Sequence, residues 1–241
     1  MWGNLIFSLL GFLVTVSLWS ALIATGVRTD VTVSDLMFYS LVSSTVRWMC
    51  SCDVAVMLED QIRDGSVSMH FLRPISFRRS LVATVLGENA FFMLLGQIPL
   101  LIAAVTLIGL PAPAGFMEAG CFALSAVLGM LILFELYYAV GLLAFWLQQT
   151  WFLGRYVNAG FTLFGGATVP LWFFPEALNA FTRFLPFRYI HFEAINMYLG
   201  RMTQREMLVS LLISLAWLTG LRLLSAYGWH RAQRKLTING G

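Results

Sequence analysis

Side chains able to do chemistry are few in this chain, and their spacing does not bring them together. His70, His191 and His230 fall on separate segments, so no local pattern supports a shared metal site. Cys50-Ser51-Cys52 lacks the spacing of a redox or zinc motif, and Cys121 sits in an apolar run; all three read as small buried side chains. Lys235, the only lysine, follows no glycine-rich turn, so the chain has no phosphate-binding loop for ATP. No nucleophile-elbow, zinc-protease or calcium-loop pattern is present. His191 and Glu193 are close enough in sequence for an acid/base pair, but no nucleophile accompanies them, and interfacial polarity is the better reading. More telling are Arg47, Asp53, Glu88 and Glu135, which lie within or at the edges of long apolar runs. Charges so placed are costly in lipid and face a bundle interior, a water-filled path or a partner charge. Arg47 and Glu135 are one interhelical pair that the positions allow. A packing ion pair and a place on a substrate path are both open to these residues. Glu88, after Gly87, reads as a cap or a headgroup-facing residue at the start of a helix.

The elements that must hold these groups are apolar helices. Of 241 residues, 59% are apolar and 11% charged, where a soluble domain carries about 25% charged residues. A soluble surface cannot be built from so few charges, and intrinsic disorder is excluded on the same ground. Apolar runs cover Met1–Val27, Leu36–Leu58, Leu81–Leu110, Phe116–Leu147, Tyr156–Phe174 and Met207–Tyr227, and a spanning helix needs about 20 such residues. The expectation is an all-α polytopic membrane protein of one domain over residues 1–241, with six transmembrane helices. Met1 opens almost directly into the first run, with no basic segment that would mark a cleaved signal.

Basic residues set orientation. With six spans, one side receives Arg63, Arg73, Arg78, Arg79, Arg155, Arg231, Arg234 and Lys235. The other receives Arg28, Arg183, Arg188, Arg201 and Arg205. The first group is larger, which puts both termini in the cytoplasm. The arginines are scattered along apolar flanks and do not form a nucleic-acid surface.

Two connections are more than loops. Residues Glu59–Ser80 read as a cytoplasmic helix-turn unit, broken at Gly65, with apolar Met69, Phe71 and Leu72 before Pro74. Such a hairpin is either a docking surface for another protein or a solvated connector. Residues Trp172–Leu199 are too aromatic for an open loop, and Pro175 and Pro186 divide them into pieces too short to span. Short re-entrant or interfacial helices fit, with Trp172, Phe173, Phe174, Phe187 and Tyr189 at headgroup level.

These two segments carry a family pattern. Ile62-Arg63-Asp64-Gly65-Ser66-Val67, then Leu72-Arg73-Pro74-Ile75, resembles the cytoplasmic segment between helices two and three of permeases in the ATP-binding cassette type-2 export family. Val169-Pro170-Leu171-Trp172-Phe173-Phe174-Pro175, then Leu185-Pro186-Phe187 and Leu199-Gly200, resembles that family's stretch between helices five and six. The terminal Asn239-Gly240-Gly241 is similar to one bacterial subgroup. The resemblance implies a bacterial inner-membrane permease that pairs with a second permease subunit and with separate cytoplasmic ATPases, which would hold ATP and Mg. It makes Arg63, Asp64, Gly65, Arg73 and Pro74 the ATPase-coupling element, and leaves Arg47, Glu88 and Glu135 as candidates for the substrate path. The family's amphipathic helix before the first span is expected to be missing or very short. The implied cargo is an amphipathic drug, peptide or lipid-like molecule. The competing reading is an ATP-independent transporter or channel that uses Glu88 and Glu135 as proton sites.

Overall fold

A computed structural model describes residues 33–50, 53–67, 74–103, 115–147 and 149–239, with single residues 17, 69 and 106. The expected first span, but for residue 17, and Arg73 lie outside the described residues. Within them the chain is all helical: α1 (Val33–Met49), α2 (Val54–Arg63), α3 (Phe77–Phe92), α4 (Ile98–Ala103), α5 (Phe116–Leu142), α6 (Trp151–Phe164), α7 (Glu176–Thr182), α8 (Pro186–Ile190), α9 (Phe192–Tyr198) and α10 (Gln204–Asn239). A π-helical turn, Met93–Gln97, joins α3 to α4. It precedes Pro99, whose ring has no N–H and clashes with the carbonyl four residues back, which widens the preceding turn.

Helix α5 is the hub. Its 27 residues extend for about 40 Å, and it packs against α1, α2, α6, α8, α9 and α10. Two glycines allow this. A Cβ at Gly129 would meet the Ile190 backbone, with its Cα at 2.9 Å, and one at Gly141 would meet Leu58 at 2.9 Å and the Ala55 Cα at 3.1 Å. Without side chains there, α8 and α2 approach the α5 backbone directly, as small residues allow between helices in a membrane.

Two buried clusters divide the bundle along its length. One joins Tyr39, Val42 and Val46 of α1 to Met130 and Leu133 of α5, Phe161 of α6, Ile190 and Ile195. The other joins Val54 and Leu58 of α2, Val67, Phe77 and Leu81 to Phe134, Tyr138 and Leu142 of α5, with Trp229 of α10 packed against them. The second cluster marks the end of the bundle that carries the α2–α3 connection, called the near end below.

Four stretches among the described residues are long and apolar enough to cross a membrane: Asp35–Arg63, Phe77–Gln97, Phe116–Phe145 and Gln204–Arg234. Six were expected, and the fifth expected run accounts for one of the missing two. Helix α6 has 14 residues, or about 21 Å, short of the ~30 Å hydrocarbon layer. It ends at Phe164, because Gly165 and Gly166 follow and Gly166 takes a left-handed backbone (φ +74°). The Tyr39 hydroxyl donates to the Gly166 carbonyl at 2.6 Å and pins that turn to α1. The stretch beyond it is broken as the prolines require, into α7, α8 and α9. Tyr189 was expected at headgroup level but is buried, and Phe187 packs over Gly160 of α6. The direct contact of α8 with α5 draws these rings into the bundle.

Candidate functional site

The exposed turn between α2 and α3 is shaped by its own residues. Asp64 accepts a hydrogen bond from the Ser66 amide at 2.8 Å, and Gly65 between them has φ +78°. A side chain at Gly65 would meet no neighbour, so its requirement is conformational. The Ser66 hydrogen bonds also hold the Asp64 carboxyl below its ordinary pKa. A depressed folded-state value means that this stabilisation is full at neutral pH and is lost only as pH falls through the lowered pKa. Arg63 and Asp60 form a solvent-facing pair at 3.4 Å, worth little in stability. Their value is accessibility. Val67 is fully buried and anchors the turn to the near-end cluster. Arg63, Asp64, Gly65 and Pro74 are all exposed.

Beside the turn is a cleft of about 490 Å³, lined by Glu59, Ile62, Arg63 and the Ala144–Leu147 segment. Glu59, the first residue of the Glu59–Ser80 helix-turn unit, is buried. It accepts hydrogen bonds from the Thr150 amide at 3.0 Å and the Thr150 hydroxyl at 2.7 Å. It thereby ties α2 to the residue that opens α6, where backbone N–H groups lack helical partners.

Glu135 has a different partner from the one its position suggested. Arg78, the second residue of α3, places both Nε and Nη2 on Glu135 Oε1, with the Nε contact at 2.7 Å. Glu135 is fully buried and Arg78 is 23% exposed. The guanidinium also lies 5.5 Å from the Phe134 ring centroid, which in turn stacks near Tyr138 at 5.9 Å. Arg47 does not pair with Glu135. It is exposed near the middle of the Asp35–Arg63 stretch. Glu88 is also exposed, and it lies near the middle of Phe77–Gln97 rather than at a helix start. The two helices that carry them touch at this level: Asn89 Nδ2 donates to the Met49 carbonyl at 2.9 Å, and Trp48 and Phe92 pack at 5.8 Å. Asp53, at the break between α1 and α2, is exposed and accepts the Met57 amide through its carbonyl.

The histidine and acid near the far end face different partners. His191 Nε2 lies 3.1 Å from the Ser43 hydroxyl and 3.2 Å from the Ser43 carbonyl, with the Phe161 ring against it. Both residues are buried, so this serine and histidine lock α1 to the segment before α9. Glu193 instead binds Arg188 at 2.5 Å, and Arg188 also donates to the Asn179 side chain at 2.6 Å and Thr182 at 3.0 Å. That network joins α7, α8 and α9. Among the described residues no group of His, Cys, Asp and Glu could hold a metal ion. Sequence reasoning missed the roles of Arg78, Glu59 and Arg188. A lone carboxylate in the apolar α5 does signal that a cation must lie nearby, but not which one.

A bundle of long apolar helices around α5, with charges inside and an exposed, preformed turn at one end, defines a polytopic membrane protein. A family model described as "ABC-2 family transporter protein" matches residues 5–240. The chain belongs to this family of ATP-binding cassette permeases, and its role is that of a transmembrane permease subunit that couples to an ATPase. No curated protein and no solved structure matches it.

Proposed function

We propose that this chain is the permease half of an exporter in a bacterial inner membrane, with both termini cytoplasmic and the near end facing the ATPases. Two permease subunits, identical or paired, enclose the path, and two ATPase subunits supply ATP and Mg. The four spanning stretches, the apolar Met1–Val27 run and the run that contains α6 make six passages, with α7–α9 as short re-entrant helices between the fifth and the sixth. The cargo is an amphipathic drug, peptide or lipid-like molecule.

The observation that carries this reading is the Arg78–Glu135 pair. The Asp64–Ser66 turn is the docking element, with Arg63, Asp64, Gly65, Arg73 and Pro74 at the ATPase surface. The chain leaves that turn into α3, whose second residue, half-buried, grips the buried Glu135 of the hub helix. Displacement of the turn by ATPase closure therefore acts on α5 directly, which supplies the differential contact that any switch needs. Arg47 and Glu88 support a path on the α1/α3 face, because charges exposed at that depth need water or a partner rather than lipid. The competing reading, a proton-driven mechanism through Glu135, rests on its Oε2, which has no hydrogen-bond partner, whereas Oε1 is held by Arg78.

The test is charge reversal at the turn. In the complex with its ATPase, Arg63→Glu combined with Asp64→Lys leaves membrane insertion intact and uncouples ATP hydrolysis from export. Normal export by the double variant refutes the docking role.

A further inference from the structure

The far end of the bundle holds a second cleft, of about 690 Å³, between the α7–α9 segment and the first turns of α10. That size falls within the range of small-molecule sites. Four guanidinium groups line it: Arg183, Arg188, Arg201 and Arg205. Two of them are already engaged and fixed. Arg188 is held by Glu193 and Asn179, and Arg201 by Asp35 at 3.1 Å and by the face of Trp172 at 4.1 Å. Arg183 and Arg205 are exposed and have no carboxylate partner among the described residues. The remaining acid of the lining, Glu206, accepts from the Thr203 amide and hydroxyl, each at 2.8 Å, and so caps the start of α10.

One more group in the lining favours an acceptor. Ser210 lines the same cleft, is 4% exposed, and its hydroxyl has no hydrogen-bond partner. A buried hydroxyl left so is costly. Two cations without carboxylates and a donor without an acceptor, around a cavity with Trp172 in its wall, ask for the same thing. Each is satisfied by oxygen atoms carrying negative charge, and arginine is the side chain best suited to phosphate.

We propose that this cleft binds the phosphate of an anionic amphiphile, with Arg183 and Arg205 supplying the charge and Ser210 a hydrogen bond. The phosphate belongs to a lipid-type headgroup, and the indole of Trp172 sets the depth at which such a headgroup lies. Binding is a property of this chain alone and does not depend on the coupling described above.

The test uses the full chain in a neutral detergent and follows its unfolding midpoint. It is titrated with short-chain phosphatidylglycerol, short-chain phosphatidylcholine or inorganic phosphate. Phosphatidylglycerol raises the midpoint saturably, and phosphatidylcholine binds more weakly. A saturable response to inorganic phosphate of equal affinity would overturn the headgroup as the source. Replacing Arg183 and Arg205 together by Gln weakens phosphatidylglycerol binding about tenfold or more, and Ser210→Ala weakens it less. The Arg183 and Arg205 changes leave the unliganded midpoint near that of the wild type, and Ser210→Ala leaves it equal or higher. The exposed Arg231, at the other end of α10, serves as a control, and Arg231→Gln leaves binding unchanged. Equal affinity in the wild type and the double variant, equal binding of the two lipids, or no saturable response to any of the three overturns the proposal.

Discussion

At the scale of single residues, the Arg78–Glu135 pair has two separable roles, packing and transmission. Removing one partner strands a charge against the hub helix, so Glu135→Ala costs about 3 kcal/mol. Replacing both partners by apolar residues of similar size removes that penalty, because no charge is then left in low dielectric. The combined Arg78→Met and Glu135→Leu variant should therefore unfold near the wild-type temperature, while transport driven by the ATPase falls. Thermal unfolding and a transport assay on the same preparation check the two halves of the prediction. Recovery of both stability and transport would make the pair a packing device only. The exposed Arg63–Asp60 pair stands in contrast: the same charge types, placed in solvent, contribute almost nothing to folding.

At the scale of elements, the fold depends on how closely helices approach α5. Gly129 faces the Ile190 backbone, which cannot rotate away as a side chain can. Gly129→Ala should destabilise the bundle by roughly 1–3 kcal/mol through overpacking, seen as a lower unfolding midpoint. Gly120, on the same helix, has open space where a Cβ would go, and Gly120→Ala should leave stability unchanged or raise it by up to about 1 kcal/mol through helix propensity. An equal loss at both positions would mean that the α8 crossing does not set the effect. The Asp64–Ser66 turn obeys a different rule. A Cβ at Gly65 would meet no neighbour, yet the left-handed backbone there makes Gly65→Ala cost about 1 kcal/mol. That cost should appear as faster amide exchange confined to the turn.

At the scale of the whole molecule, the surface is not uniform in what it can face. The α3 and π-turn surface exposes Phe91, Leu94 and Leu95, as lipid contact requires. Arg47 and Glu88 break that apolar pattern near mid-span. With the native cysteines replaced by serine, a cysteine at Arg47 or Glu88 should react with a hydrophilic maleimide in intact membranes. A cysteine at Leu94 should not. Protection of both charged positions, in the permease alone and in its complex, would place that face in lipid and remove it from the path.

The class of protein was legible in the composition, because too few charges exist to solvate a surface. So were the long helices at Phe116–Leu142 and Gln204–Asn239, the break at Gly65 and the prolines that divide residues 170–186. Each depends on local chemistry: transfer free energy, a backbone angle, a missing N–H. Which cation meets Glu135 was not legible, because Arg47 and Arg78 are equal candidates until the helices are placed. Nor were the depth of Glu88, the burial of Glu59 or the convergence of four arginines on one cleft. Hydropathy places a residue along the membrane normal but is silent on the direction its helix turns it. That direction is decided by contacts such as Gly129 on Ile190 and Gly141 on Leu58, between residues far apart in the chain.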